Sequence, residues 1–278
     1  VSLDIMPGEI YALCGENGAG KSTLMNILFG MPVISSTGGY TGKVLIDGKE
    51  VQIKKPQEAI AHGIGMVHQE FMLIPGFTVG ENIKLNREPL KNGVLSRVFG
   101  KQLRNVDFEQ IEKDAEASLD RLGVELDPHA DVETLPVGYM QFVEIARELD
   151  KSNVKLLILD EPTAGLDPQG RDEILDQIAS LHSLRGITVI LVSHSMEDVA
   201  NYVNRIIVMN KGSVMYDDEP KKVFRHVKEL EAVGLAAPSV TYIMHTLKEA
   251  GLAVETDATT LTEARDAILA ACGCGKEK

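Results

Sequence analysis

Short apolar runs alternate along the chain with longer stretches in which apolar residues recur at helical spacing. The runs with the length and composition of strands occupy residues 1–5, 9–15, 64–68, 155–160, 187–193 and 205–209. Helical patterns separate most of these runs, beginning with residues 20–29. This alternation predicts an α/β fold, in which a mostly parallel sheet carries helices on both faces.

Two hairpins add an antiparallel component to this pattern. Asp47 and Gly48 stand between two β-type runs within residues 43–53, and an Asp-Gly pair in that setting is typical of a hairpin turn. A second hairpin-like pair is expected at residues 210–216.

Helical patterns dominate two further parts of the chain. One lies between residues 79 and 149, with a linker that contains Gly and Arg at residues 93–100. The other consists of amphipathic segments after Pro220, which end near Ala271. The pattern therefore predicts a core at residues 1–78 and 152–218, a helical subdomain at residues 79–151 and a C-terminal helical extension at residues 219–278.

The composition narrows the function classes. A formal net charge of −13 at pH 7 argues against nucleic acid as the main ligand, because a phosphate backbone selects a basic surface. No apolar run approaches the ~18 residues of a bilayer span, so work at a membrane would need a partner. The few cysteines form no disulfide framework, Cys272 and Cys274 lie in a tail expected to be disordered, and no signal peptide is recognised. A reducing cytoplasm fits these features.

A glycine-rich segment follows the second strand-like run. Residues 15–22, GENGAGKS, match the pattern G-x-x-x-x-G-K-[ST] between a strand and a helix. The glycines let successive backbone N–H groups face one anion at a helix N-terminus, while Lys21 reaches the β- and γ-phosphates and the Ser22 hydroxyl ligates Mg²⁺. This segment predicts an ATP or GTP site. The predicted nucleotide contacts are Gly15, Asn17, Gly18, Ala19, Gly20, Lys21, Ser22 and Thr23.

Two adjacent carboxylates end the apolar run at residues 155–160. Neighbouring residues of a strand point to opposite sides, so Asp160 and Glu161 can divide two tasks. Asp160 is predicted to hold Mg²⁺, and Glu161 is predicted to act as general base on the attacking water.

Two polar residues follow other strands of the predicted sheet. His194 comes after the run at residues 187–193, at the edge where ligands of open α/β sheets bind, and is predicted to contact the γ-phosphate. Gln69 comes after the run at residues 64–68 and is predicted to touch Mg²⁺ or the water. The apolar segment beyond it is either core or a docking surface. The other histidines are interpreted as surface or packing residues.

Together these residues resemble the ATP-binding cassette (ABC) family, and the resemblance covers nearly the whole chain. It identifies residues 15–22 as the Walker A loop, Gln69 as the Q-loop, residues 156–161 as the Walker B strand, residues 164–167 with Asp167 as the D-loop, and His194 as the H-loop. It implies a P-loop NTPase core of RecA-like type with an antiparallel β subdomain, a helical signature subdomain and an appended extension.

The resemblance also implies partners. Two cassettes would pair head to tail, as a homodimer or a heterodimer, with ATP and Mg²⁺ held between one Walker A loop and the other chain's signature. Residues 69–75 would meet a transmembrane permease subunit, which places the protein at the cytoplasmic face of the membrane.

Two departures from the family pattern change these expectations. The signature, usually Leu-Ser-Gly-Gly-Gln, is here made of Leu135, Pro136, Val137, Gly138 and Tyr139. Because Pro136 replaces the serine and has no N–H, we expect the ATP site that this segment completes to be slow or inactive. The family's adenine-stacking aromatic residue, expected upstream of residue 1, is not part of this sequence.

The two halves resemble different branches of the family. Residues up to about Thr163 resemble ATPases of sugar or nucleoside importers, and residues from Gly165 onward resemble energy-coupling-factor ATPases for vitamins and metal ions. A natural mosaic, an engineered chimera and an assembly artefact stay open as explanations. Both branches predict an importer ATPase.

Two other classes of function compete with this prediction. A nucleotide-dependent clamp on DNA or the ribosome is disfavoured by the acidic charge and the single cassette. A regulatory cassette that binds ATP but hydrolyses it poorly is favoured by the degenerate signature at Pro136, Val137 and Tyr139, and opposed by Glu161 and His194.

Overall fold

The computed structural model describes residues 1–91, 105–151 and 153–273. Its largest sheet contains six strands, which are β1 Ile10–Cys14, β4 Ile64–Val67, β7 Leu156–Asp160, β8 Thr188–Val192, β9 Arg205–Asn210 and β10 Ser213–Asp218. Two smaller antiparallel pairs consist of β2 Val44–Ile46 with β3 Lys49–Val51, and β5 Leu90–Lys91 with β6 Asn105–Val106.

The strand order in the large sheet is β10-β9-β1-β8-β7-β4. All neighbours are parallel except β10, which returns beside β9 as the predicted second hairpin. In the register of these strands Val192 lies opposite both Leu13 and Asp160. The carboxyl ends of β1, β7 and β8 therefore meet at one edge, where the predicted site residues begin.

Helices cover both faces of the sheet, as the alternating pattern predicted. They are α1 Lys21–Phe29, α2 Pro32–Ser36, α3 Pro56–Ala61, α4 Val79–Ile83, α5 Phe108–Asp120, α6 Val137–Asp150, α7 Pro168–Arg185, α8 Met196–Tyr202, α9 Pro220–Val223, α10 Val227–Ala232, α11 Ser239–Glu249 and α12 Leu261–Ala271. Every residue of β1 is buried, and its side chains alternate between two apolar clusters. Ala12 belongs to one cluster and Leu13 to the other, which is the burial expected of a central parallel strand.

The helical section between β4 and β7 packs onto one of these clusters. Ile83, Leu119 and Ile145, from α4, α5 and α6, are all almost fully buried within it. Asp150, the last residue of α6, forms ion pairs with Lys84 and Arg87, which connect the end of α6 to the end of α4. The strands of the large sheet all lie in the predicted core ranges, while the boundaries of the three predicted parts stay a prediction.

Two expectations about local structure are wrong. Residues 1–5 form no strand, because β1 already has β8 and β9 on its two sides and Gly8, at φ 74°, turns the chain before β1. The section between residues 79 and 149 contains the β5–β6 pair as well as helices. The predicted linker at residues 93–100 and the tail from Cys274 lie outside the described residues. No helix in the described ranges has the length and apolar character needed to cross a bilayer.

Candidate functional site

The predicted phosphate loop connects β1 to α1. Gly15 adopts φ 154°, and a Cβ there would lie 2.5 Å from the Met209 carbonyl oxygen, so a side chain does not fit. Gly18 and Gly20 are also in the left-handed region. The Ala19 carbonyl accepts a hydrogen bond from the Gly212 N–H at 2.9 Å and ties the loop to the β9–β10 turn. The loop therefore stands preformed at the N-terminus of α1.

Lys21 lies beneath this loop and is only 7% exposed. Its Nζ donates hydrogen bonds to the carbonyl oxygens of Gly15 at 2.6 Å and Glu16 at 3.3 Å. Among the described residues no carboxylate forms an ion pair with it. A buried ammonium group whose hydrogen-bond partners are two neutral carbonyls is suited to an anionic ligand. Of the other predicted nucleotide contacts, Ala19 is buried, Gly20 is partly buried, and the exposed ones are Asn17, Gly18, Ser22 and Thr23.

The two carboxylates lie at the end of β7. Glu161 adopts φ 51°, a conformation that costs about 1–2 kcal/mol for a residue with a side chain. Its backbone N–H donates to the Val192 carbonyl oxygen at 3.0 Å, which anchors it to β8. This turn places Oε1 of Glu161 3.1 Å from Nε2 of His194. Two residues predicted separately from the sequence are therefore neighbours.

Burial and charge set the protonation of this group. Burial, and then the negative charge of Asp160, raise the pKa of Glu161 from its ordinary 4.5 to about 7. Burial also raises the pKa of Asp160, and burial together with Lys21 lowers the pKa of His194. His194 is therefore neutral at pH 7, and the proton on Glu161 is easily gained or lost.

The same group suits a divalent cation. The approach of His194 to Oε1 of Glu161 is not aligned as a hydrogen bond, and Oε1 is buried with no hydrogen-bond partner among the described residues. Asp160 and Glu161 are adjacent carboxylates, which repel each other unless a cation is bound. Oxygen ligands of this kind match the chemistry of Mg²⁺. The residues present fit the predicted metal, with Ser22 at the start of α1 and Gln69 after β4 as the other predicted ligands.

Gln69 follows β4, the strand at the open side of β7. Val67 lies opposite Leu159 in the sheet, so the chain leaves β4 beside the end of β7, and the Gln69 side chain is exposed there. The preceding His68 is half-buried, and its ring packs edge-on against Phe29. Burial lowers the pKa of His68, and the negative charges of Glu148 and Asp160 offset part of this shift. Interpreted from the sequence as surface or packing, His68 thus lies within electrostatic reach of the carboxylates.

The signature segment lies at the N-terminus of α6. Pro136 is the N-cap of this helix and makes no capping side-chain hydrogen bond. Val137 and Tyr139 are about two-fifths exposed, while a Cβ on Gly138 would lie 3.8 Å from Leu166. Within the signature segment Gly138 thus adjoins Leu166 of the D-loop, while the Val137 and Tyr139 side chains are exposed.

Asp167 has a structural task within the chain. It is the N-cap of α7, and its Oδ1 accepts a hydrogen bond from the Gly170 N–H at 2.9 Å. Its predicted role across a dimer stays a prediction.

Nothing in the amino-acid sequence indicated that the C-terminal extension reaches this region. Gly234 packs against Glu16 of the phosphate loop, so closely that a Cβ would lie 3.2 Å from its carboxyl carbon. Ser239, at the start of α11, donates hydrogen bonds to Glu197 from its N–H at 3.2 Å and its hydroxyl at 2.8 Å. Glu197 lies on α8, three residues after His194 in the sequence. The extension therefore contacts two segments of the candidate site.

The raised pKa of Glu161 predicts that the free energy of unfolding depends on pH in the chain that is free of metal and nucleotide. Above its ordinary pKa the unfolded chain releases this proton, while the folded chain keeps it up to about pH 7. Stability therefore falls as pH rises through this window and levels off above it. Glu161→Gln removes the cost of ionising this carboxyl group in the folded chain. The variant should therefore be more stable than the wild type by on the order of 2 kcal/mol at about pH 8 and by about zero at about pH 4.5.

Chemical unfolding of both proteins in EDTA measures this difference. A stability difference between Glu161→Gln and the wild type that stays constant across the pH range would contradict the assignment of a raised pKa.

Comparison with known proteins gives this site a family. A family model described as ABC transporter matches residues 1–164, and an AAA domain model matches residues 141–198. The energy-coupling factor transporter ATP-binding protein EcfA2 of Clostridium tetani is 37% identical over 272 residues, which cover 97% of this chain and 88% of that protein. The ribose import ATP-binding protein RbsA of Chelativorans sp. is 40% identical over 223 residues, which cover 80% of this chain and 40% of that protein.

Solved structures agree with these sequence matches. The structure of cbiO1 from Clostridium perfringens, described as part of the ABC transporter complex cbiONQ, has a TM-score of 0.66 at 27% identity and covers 89% of this chain and 90% of that chain. A phosphate loop, a strand-end carboxylate pair and this fold define a nucleotide hydrolase. The chain belongs to the ABC transporter family and is one of its ATPases. The predicted fold class and the predicted likeness to two importer branches are confirmed.

Proposed function

We propose that this ATPase is the energy-supplying subunit of an importer and couples ATP hydrolysis to solute uptake through membrane partners. The observation that carries the proposal is that the buried Lys21 ammonium group meets Asp160, Glu161 and His194 at one edge of the sheet. Relatives named for energy-coupling factor transport and ribose import support the direction of transport. The solute would be selected by other subunits, of the sugar or nucleoside type or of the vitamin or metal-ion type.

The chain's own residues divide the chemistry. The loop amides and Lys21 hold the phosphates, which brings the γ-phosphate to the carboxyl edge of the sheet. Ser22 and Asp160, with Gln69, would hold Mg²⁺, which supplies charge neutralisation when bound. Glu161 accepts the proton of the attacking water.

His194 has a separate task in this mechanism. Because its pKa is lowered, His194 is neutral at pH 7 and forms no full ion pair with Glu161. It is therefore able to orient the water by hydrogen bonding, with Glu161 and the γ-phosphate as its other neighbours. Glu161 itself, with a pKa of about 7, is poised near the working pH of a general base.

The membrane partner would dock beside Gln69. Phe71, Met72 and Phe77 are between 38% and 50% exposed in the segment that follows it, which is unusual for large apolar side chains that lie close together in sequence. An apolar helix end of a permease subunit fits this surface. Docking there would hold the chain at the cytoplasmic face as a peripheral subunit.

A second cassette would complete each ATP site. The exposed start of α6 faces away from the chain's own core, which leaves Gly138 and the helix N-terminus available to a γ-phosphate bound by another chain. Pro136 supplies neither a hydroxyl nor an N–H to that phosphate. A homodimer would have two weakened sites and a heterodimer one. The alternative, a regulatory cassette with little hydrolysis, rests on this same residue.

The Pro136→Ser variant tests whether Pro136 is what weakens hydrolysis at the site that this segment completes. A hydroxyl facing a phosphate adds one charge-assisted hydrogen bond, so turnover should rise about tenfold. Pro136→Ala is the matched control, because it removes the proline ring and restores the backbone N–H without adding a hydroxyl, and it should give little gain. Phosphate release from ATP and Mg²⁺ measures both variants. A Pro136→Ser rate no higher than that of Pro136→Ala would refute the assigned defect.

A further inference from the structure

The loop that carries Gln69 is fixed at both of its ends by one helix. Met66 and Met72 lie three residues before and three residues after Gln69. The Met66 N–H donates to Oε2 of Glu148 at 3.2 Å, and the Met72 N–H donates to Oε1 of Glu144 at 2.7 Å. Glu144 and Glu148 are one turn apart on α6, so they share one face of that helix. Gln69 thus stands at the midpoint between two anchors.

Both anchors are buried charges, and both are paired. Glu144 is 1% exposed and Glu148 is 2% exposed. Arg147 forms an ion pair with Glu144 and donates from Nη1 to the Met72 carbonyl oxygen at 2.9 Å. Lys151 forms an ion pair with Glu148. Burying ion pairs is costly, and apolar residues of similar size would stabilise a helix–sheet contact at least as well. The arrangement is therefore better suited to fixing a geometry than to adding stability.

The two anchors hold the backbone specifically. Both polar backbone groups of Met72 are bonded to α6 side chains, so this residue cannot shift along the helix without losing both bonds. Met66 belongs to β4, the last strand of the sheet, and Glu148 takes an N–H that has no further strand beside it. Beyond Met72, the buried Asn82 side chain accepts from the Ile74 N–H at 2.7 Å and continues the restraint.

We propose that Glu144, Arg147 and Glu148 are positioning residues that hold the Gln69 loop at the phosphate edge of the sheet. The same helix begins at the signature segment, so a displacement of that segment against a partner's nucleotide is transmitted to Gln69 of this chain. This inference rests on the proposed role of Gln69 in hydrolysis. It adds residues that touch neither ATP nor Mg²⁺ and act only through the loop.

A double-mutant cycle on single-turnover ATP hydrolysis tests the proposal. Gln69→Ala and Glu144→Ala should each slow hydrolysis about tenfold, with ATP affinity changed less than about twofold. The double variant should be no slower than Gln69→Ala, because Glu144 acts through Gln69. Glu144→Gln, which keeps an acceptor for the Met72 N–H, should recover part of the rate. Asp150→Ala is the control, since it removes another carboxylate of α6 with a buried side chain. The ion-pair partners of Asp150 are Lys84 and Arg87, which lie outside the Gln69 loop.

The outcomes separate the proposal from its premise. An unchanged rate in Gln69→Ala would overturn the role of Gln69 and this inference with it. A slow Gln69→Ala with a double variant slowed by the product of both effects would overturn the positioning role alone. Amide hydrogen exchange gives a second readout that needs no turnover. Exchange at Met72 should become at least about tenfold faster in Glu144→Ala, less so in Glu144→Gln, which keeps an acceptor, and not in Asp150→Ala. Equal exchange in Glu144→Ala and Asp150→Ala would also overturn the proposal.

Discussion

Glu161→Gln should slow ATP hydrolysis about 10³-fold while ATP affinity changes less than about threefold. The substitution keeps the size of the side chain and removes its ability to accept a proton. The carboxylate is well placed to be the base, because it neighbours neutral His194 and has a pKa near 7. Binding should persist, since the phosphate contacts come from the loop and Lys21.

Phosphate release and equilibrium nucleotide binding, measured on the same preparations, check this prediction. Asp198→Asn serves as the matched control, because Asp198 is a buried carboxylate with a raised pKa in the helix that follows His194. Its rate should stay within about threefold of the wild type. A Glu161→Gln variant that hydrolyses ATP within tenfold of the wild-type rate would exclude Glu161 as the base.

Lys21→Ala should weaken ATP binding about 100-fold. Lys21 is the buried cation of the phosphate loop, and the ammonium group would exchange its two carbonyl partners for phosphate oxygens. Loss of that group leaves the phosphate charge opposed only by backbone amides.

Calorimetric titration with ATP in the presence of Mg²⁺ measures the loss for Lys21→Ala. Lys211→Ala is the control, since this lysine adjoins Gly212, which hydrogen-bonds the same loop, but lies outside the predicted phosphate contacts. Equal ATP affinity in Lys21→Ala and Lys211→Ala would show that the loop does not use Lys21 to bind phosphate.

The parts of the fold set by local sequence were predictable. The loop at residues 15–22 is defined by glycines whose backbone angles other residues avoid, and the carboxyl ends of parallel strands share one edge in any such sheet. Residues 1–5 show the limit of this reasoning. They have the composition of a strand, but β1 has no free side to pair with them. Strand pairing depends on the whole sheet rather than on one segment.

The details of the candidate site that depend on packing were not predictable. The backbone strain at Glu161 and its misaligned contact with His194 arise from how β7 meets β8. The anchoring of the Gln69 loop by Glu144 and Glu148 arises from how α6 crosses β4. A signal for these two residues exists in the sequence, because they are charged and lie among apolar residues on one face of a helix. That signal indicates burial and a partner without identifying the partner.

The contacts of the C-terminal extension follow the same logic. Its amphipathic pattern predicted helices, which the structure has from Pro220 to Ala271. The packing of Gly234 on Glu16 involves two residues far apart in the chain, and a single glycine carries no information about its neighbour. Long-range contacts of this kind require the folded chain.

ATP turnover by the purified wild-type chain, with and without membrane vesicles of the cells that express it, tests the central claim most directly. The account predicts Mg²⁺-dependent phosphate release by the wild type that rises when the vesicles supply the membrane subunits, and no comparable release by Glu161→Gln. Bound ATP with no phosphate release, both in the wild type with vesicles and in Pro136→Ser, would contradict the claim and leave a cassette that binds nucleotide without hydrolysing it.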